Sequence, residues 1–172
     1  MVILIAGASH TGKTLLAQRL LETYHFPYLS IDHLKMGLIR SGQTQLRACD
    51  DEELTAYLWP IVCEIIKTAV ENNQNLIVEG GYIPFNWEDS FDKTYREHIR
   101  AYWLVMTSAY IENHFHDILS HANDIERRID DGCSKQWLIE ENQRNLEGCT
   151  RFGCQYILID KIYEIGELPC LM

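Results

Sequence analysis

The stretch Gly7-Ala8-Ser9-His10-Thr11-Gly12-Lys13-Thr14 constrains this chain more than any other. It follows an apolar run, Val2-Ile3-Leu4-Ile5-Ala6, of the kind that makes a strand buried on both faces. It precedes Leu15, Leu16, Leu20 and Leu21, a stripe with helical spacing that runs toward Tyr24. Gly7 and Gly12 permit backbone conformations that aim successive N–H groups inward at an anion. Lys13 adds a positive charge, and the Thr14 hydroxyl can ligate Mg²⁺. A helix starting there also offers its unpaired N–H groups and positive dipole end. The residues expected to wrap a bound anion are therefore Gly7, Ser9, His10, Thr11, Gly12, Lys13, Thr14 and Leu15.

The rest of the chain alternates strand and helix patterns. Pro27 ends the first helix, Tyr28-Leu29-Ser30-Ile31 reads as a second strand, and Asp32 stands at its C-terminal end. Ligands of open parallel sheets collect beyond those strand ends, which places Asp32 near the anion. Two readings of it stand. Asp32 accepts the proton of a substrate hydroxyl while Lys35 or Arg40 holds a substrate anion, or it caps a helix and the two cations are solvated. Asp50-Asp51-Glu52-Glu53 should open a long amphipathic helix carrying Leu54, Leu58, Ile61, Ile65, Ile66 and Ala69, which Pro60 should kink or restart.

Leu76-Ile77-Val78 is the third strand, with Glu79 directly after it. An acid there either contacts Mg²⁺ or its bound water, or orders the turn. Gly80 and Gly81 allow a ligand close to the backbone and are candidate substrate contacts. Ala101 to Met106 makes a fourth strand, and Thr107 or Ser108 caps the helix after it. On that helix Asp117 and His121 share a face but complete no metal-ligand spacing. A polar segment containing Arg127-Arg128 follows, then a helix begun by Ser134 or Gly132, with Trp137, Leu138 and Leu146 inward and Arg144 upon it. Gln155 to Asp160 is the fifth strand. The expected fold is α/β in three layers: a five-stranded parallel sheet with helices on both faces, forming one domain over 1–172.

Bulk properties narrow the function. A net charge of −10 argues against a broad nucleic-acid-binding face and an anionic membrane surface, while a few local cations can still hold a small phosphorylated ligand. The six cysteines include no C-x-x-C pair and read as reduced thiols, and the N-terminal apolar run is too short for a leader or a membrane span. The expected location is cytoplasmic. A protein partner is left open.

The G-x-x-x-x-G-K-[ST] pattern with its strand and helix resembles the Walker A loop of P-loop nucleoside triphosphate-binding proteins. Glu79-Gly80-Gly81 and Asp160-Lys161 stand where a GTPase would show D-x-x-G and N-K-x-D, so the layout is similar to the small P-loop kinases instead. That group includes adenylate, shikimate and gluconate kinases, chloramphenicol phosphotransferase and the zeta toxins. The resemblance implies ATP and Mg²⁺ as cofactors, with Lys13 on the phosphates and Thr14 and Glu79 at the metal. It implies Asp32 at an acceptor hydroxyl and a lid over about 123–134 carrying Arg127 and Arg128, with Arg144 a weaker match. The turn Glu79-Gly80-Gly81-Tyr82-Ile83-Pro84-Phe85 lacks the arginine with which adenylate kinases grip a nucleoside monophosphate. The implied activity is γ-phosphate transfer from ATP to a small hydroxylated acceptor. The alternatives are an adenylate-type monophosphate kinase and a nucleotide-dependent binding module without an acceptor.

Overall fold

The computed structural model describes residues 1–121, 133–166 and 168–171. Five strands, β1 (Val2–Gly7), β2 (Tyr28–Ser30), β3 (Leu76–Glu79), β4 (Ile99–Met106) and β5 (Tyr156–Ile159), form a single sheet in the order β2-β3-β1-β4-β5. Every pairing is parallel. The glycine loop leaves the central strand, all six of whose residues are buried, and this is why the run that precedes the loop is apolar without alternation.

Helices cover both faces. On one, Leu16, Ala17 and Leu20 of α1 (Lys13–Tyr24) pack with Ile3, Ile5, Ile77, Tyr102 and Leu104. On the other, Leu54, Leu58, Val62 and Ile66 of α3 (Asp51–Glu71) pack with Val2, Leu4, Val78 and Trp103. Each such fully buried Leu or Ile contributes about 1.5–3 kcal/mol relative to an exposed one. The remaining helices are α2 (Ile31–Arg40), α4 (Lys93–Arg96), α5 (Ser108–Ser120) and α6 (Lys135–Phe152). The fold is the expected three-layer α/β arrangement.

Several local expectations are corrected. Strand β2 stops at Ser30, and Ile31 already opens α2, so Asp32 lies inside the first helical turn and does not cap it. Helix α3 runs through Pro60 as one element with no restart. Pro60 and Ala56, whose carbonyl loses its partner, both lie on the exposed side where water serves that oxygen, while buried Leu58, Trp59 and Val62 hold the helix to the sheet. Trp137 is not inward but 39% exposed; Leu138 beside it is buried. Thr107 caps α5, accepting from the Tyr110 amide at 3.1 Å, and Ser134 caps α6, accepting from the Trp137 amide at 3.1 Å. No described helix is long and apolar enough to cross a membrane.

Candidate functional site

The loop between β1 and α1 has the backbone that its glycines suggest. Gly7 has φ +137° and lies so close to β4 that a Cβ would stand 2.4 Å from the Leu104 carbonyl oxygen. His10, at φ +63°, is a non-glycine residue in left-handed conformation, an uncommon state that recurs at ligand sites. Gly12 has φ +84° and is followed directly by Lys13, the first residue of α1. The Thr11 hydroxyl donates to the Ala8 carbonyl at 2.9 Å, and the Lys13 ammonium donates to the same oxygen at 2.8 Å. Both side chains are buried, so the ammonium lies folded across the loop and not out in solvent.

The register of the sheet carries a carboxylate to this loop. Glu79 pairs with Ile5 of β1 on one side and Ser30 of β2 on the other, at the C-terminal end of all three strands. It is 1% exposed, and its Oε2 accepts from the Thr14 hydroxyl at 3.3 Å. A hydroxyl and a carboxylate are hard oxygen donors of the kind Mg²⁺ takes, and they adjoin the anion-seeking end of α1, so this pair fits a magnesium nucleotide. Among the described residues no group of three or more His, Cys, Asp or Glu side chains could hold a metal by itself.

Beyond Glu79 the chain turns through Gly80, whose Cβ would stand 2.9 Å from that of Ile31; the closeness draws this turn against the start of α2. Four side chains meet there. The Lys35 ammonium lies 2.6 Å from Asp32 Oδ1 and donates to the Tyr82 hydroxyl at 2.9 Å, and that hydroxyl donates to Asp51 Oδ1 at 3.1 Å. Burial pulls the Lys35 pKa down, but the Asp32 charge and the hydrogen bonds outweigh it and leave it above the ordinary lysine value. Burial pushes Tyr82 up to about 12, against the opposing effect of Lys35. Asp32 and Lys35 are thus brought together and satisfy one another. Gly81 and Arg40 are exposed.

No protein-family model matches the sequence, and no curated protein matches it either. Solved structures do match in shape. A sugar kinase from Janibacter sp. HTCC2649 superposes with a TM-score of 0.56 at 13% identity, over 92% of this chain and 84% of that one. Shikimate kinase from Bacteroides thetaiotaomicron gives 0.56 at 16% identity over 93% and 86%. Deoxyadenosine kinase from M. mycoides gives 0.53 at 11% identity over 96% and 92%. The fold is that of the small P-loop kinases.

Within this P-loop fold, Arg127 and Arg128 and most of the 123–134 segment lie outside the described residues. Arg144 is exposed and pairs with Glu141, one turn back on α6. Three residues of the site do not stand out in the sequence as binding groups. Tyr82 and Asp51 sit in segments conspicuous for other reasons, a glycine turn and an acidic helix start. Tyr163 has no such signal. It lies in the irregular segment after β5, and its hydroxyl donates to the Thr11 carbonyl inside the P-loop at 3.1 Å.

Proposed function

We propose that this chain is a Mg²⁺-dependent phosphotransferase that moves the terminal phosphoryl group of ATP to a small hydroxylated acceptor. The observation that carries the reading is the Thr14–Glu79 pair. The parallel register delivers a buried carboxylate to the exit of a loop whose amides, left-handed residues and lysine suit a triphosphate.

In this reading the loop from Gly7 to Leu15 and the N-terminus of α1 hold the phosphates, and the Lys13 ammonium leaves the Ala8 carbonyl for a phosphate oxygen. Thr14 and Glu79 hold the magnesium, which when bound supplies charge neutralisation along the phosphate tail. Asp32 orients the acceptor hydroxyl and takes up its proton, and Lys35 positions that carboxylate. Gly81, with nothing within 4 Å of a Cβ position, leaves room for the acceptor beside the backbone, and Gly80 serves by letting the turn pack on Ile31. Arg127 or Arg128 supplies further positive charge to the transferring group. Catalysis then consists of positioning and charge stabilisation, within one domain. We place the protein in the cytoplasm, with no nucleic-acid or membrane partner.

Two measurements test this. Calorimetric titration with ATP and Mg²⁺ should show binding that Lys13→Ala abolishes; unchanged affinity in the variant removes the phosphate-loop assignment. A screen of small hydroxylated metabolites should then reveal a compound that sharply raises ADP release. ATP consumption indifferent to every acceptor, with a conformational difference between ATP and ADP, points to a nucleotide-dependent binding module.

A further inference from the structure

We infer that Tyr82 is a positioning residue for the proposed phosphoryl transfer: acting through Lys35, it holds Asp32 in the orientation that receives the acceptor proton. The inference rests on the phosphotransferase reading and deepens it. Three elements meet at this phenol: α2 with Asp32 and Lys35, the turn after β3 with Tyr82 itself, and the first turn of α3 with Asp51. Their polar atoms run Asp32, Lys35, Tyr82, Asp51 with steps of 2.6, 2.9 and 3.1 Å.

The chemistry of the groups fixes the direction of every bond in this chain. An ammonium only donates and an ionised carboxylate only accepts, whereas a phenol has one proton to give and lone pairs to receive another. The Tyr82 oxygen therefore accepts from Lys35 and directs its single proton to Asp51. Burial pushes the Tyr82 pKa up to about 12, so that proton stays in place at neutral pH.

Without the phenol, Asp32 and Lys35 would be an ordinary ion pair three residues apart on a helix, a kind that contributes little and exchanges readily for water. Tyr82 changes this because it does not belong to α2. Its ring is 7% exposed and lies in the same apolar cluster as Ile31 of α2 and Leu54 of α3, so the core sets the place of its hydroxyl. The Lys35 side chain, 11% exposed, is held between that fixed point and Asp32 Oδ1. Asp32, 40% exposed, is thereby held by one oxygen, which leaves Oδ2 for an acceptor hydroxyl. Asp51 is the far anchor: by taking the phenol proton it keeps the oxygen lone pairs turned to Lys35.

Tyr82→Phe keeps the ring, whose centroid lies 4.9 Å from the Lys35 ammonium, and removes only the hydroxyl. The test uses the whole protein with ATP and Mg²⁺ at neutral pH, with water as the acceptor and phosphate release followed in wild type, Tyr82→Phe, Asp32→Asn and the double variant. Three-bond NMR couplings report the Asp32 side-chain rotamer in wild type and Tyr82→Phe. Asp32 should occupy one rotamer in wild type and average over several in Tyr82→Phe. The kcat of Tyr82→Phe should fall about 3–100-fold while KM for ATP stays within about twofold. Because Tyr82 acts through Asp32, the same change made in Asp32→Asn should cost less than about twofold. Asp51→Ala, an exposed change, reaches the phenol from outside the core and should act in the same direction as Tyr82→Phe. ATP affinity measured on each variant shows that it is folded. A tyrosine with a merely structural role slows both backgrounds by the same factor, and that result overturns the inference. So does an Asp32 rotamer equally fixed in wild type and Tyr82→Phe, and so does a wild type that binds ATP and releases no phosphate. Failure of the wild type to bind ATP at all is a separate result and removes the phosphotransferase reading itself.

Discussion

The Tyr163 hydroxyl, on the segment leaving β5, reaches into the P-loop and donates to the main-chain carbonyl of Thr11 at 3.1 Å. It lies against Gly12 so closely that a Cβ on that residue would stand 1.7 Å from the phenol oxygen. The same segment is tied to α1 by Arg19, which donates to the Ile165 carbonyl at 2.7 Å, and is seated by buried Ile165 and Leu168. The loop is therefore braced from outside as well as by its own glycines. Tyr163→Phe keeps the ring and removes the bond, whose net value is about 0.5–1.5 kcal/mol. ATP affinity should fall about 2–10-fold by calorimetry, with kcat on the saturated enzyme changing less. Burial pushes the Tyr163 pKa up to about 12, which favours the protonated donor. That contribution is complete below the ordinary tyrosine pKa of about 10 and is lost as pH rises through about 12, so the ratio of affinities should be flat between pH 7 and 9. Equal affinity of wild type and variant would show that the brace has no hold on the nucleotide.

Asp32→Asn removes the proposed base and leaves the shape of its side chain. The change lies at the start of α2 and outside the loop, so ATP affinity should stay within about twofold. Turnover of an accepted substrate should fall about 10²–10⁴-fold, the usual contribution of a positioned base. Lys35 loses its charged partner but keeps the Tyr82 hydroxyl, so the variant should remain folded. Turnover near that of wild type would show that the Asp32–Lys35 pair is a structural ion pair only.

Local chemistry dictates part of this site, and that part is legible in the amino-acid sequence alone. The strand, the glycine loop and the helix at Lys13 follow from a continuous apolar run, two glycines and a helical stripe, all within a few residues of one another. Glu79 is legible as an acid at a strand end, but its contact with Thr14 depends on the β1–β3 register, which only the folded sheet sets. The commitment of Lys35 to Asp32 is not legible. A lysine three residues after an aspartate on a helix can point to solvent or to its neighbour, and burial against Tyr82 decides between them. Tyr163 is hidden altogether, because it comes from an irregular segment 152 positions from the carbonyl it meets and carries no periodic or motif signal. Trp137 falls outside the core because helical spacing identifies a stripe but not its edges.

Glycine substitutions should separate positions where the fold demands the absence of a side chain from positions where it does not. Gly7 pairs with Leu104 across β1 and β4, has φ +137°, and leaves 2.4 Å between a new Cβ and the Leu104 oxygen. All the atoms a new Cβ would meet belong to the Leu104 backbone within the sheet, so they cannot move cheaply. Gly7→Ala should lose at least about 2 kcal/mol in urea unfolding followed by circular dichroism. Gly37 lies on α2 with nothing within 4 Å of a new Cβ. Gly37→Ala should gain about 0.5–1 kcal/mol from helix propensity. A stable Gly7→Ala variant would contradict the loop and sheet geometry described above.

Thiol reactivity gives an independent check on the packing of α3 and α6. Burial pushes the Cys63 pKa up to about 11 and the Cys149 pKa up to about 12, and the two residues are 5% and 1% exposed. The thiolate is the nucleophile, and it is favoured only above the pKa, so at pH 8 these two groups are almost entirely protonated as well as covered. Cys49 lies in the exposed segment before α3 and is not covered. Alkylation of the native protein with iodoacetamide at pH 8, read by peptide mass spectrometry, should modify Cys49 first. Cys63 and Cys149 should react only once denaturant is added. Raising the pH to 9 should leave the buried pair protected, because their pKa values still lie two or more units higher. Native-state labelling of Cys63 or Cys149 at the rate of Cys49 would mean that the helices they sit on do not pack against the sheet as described.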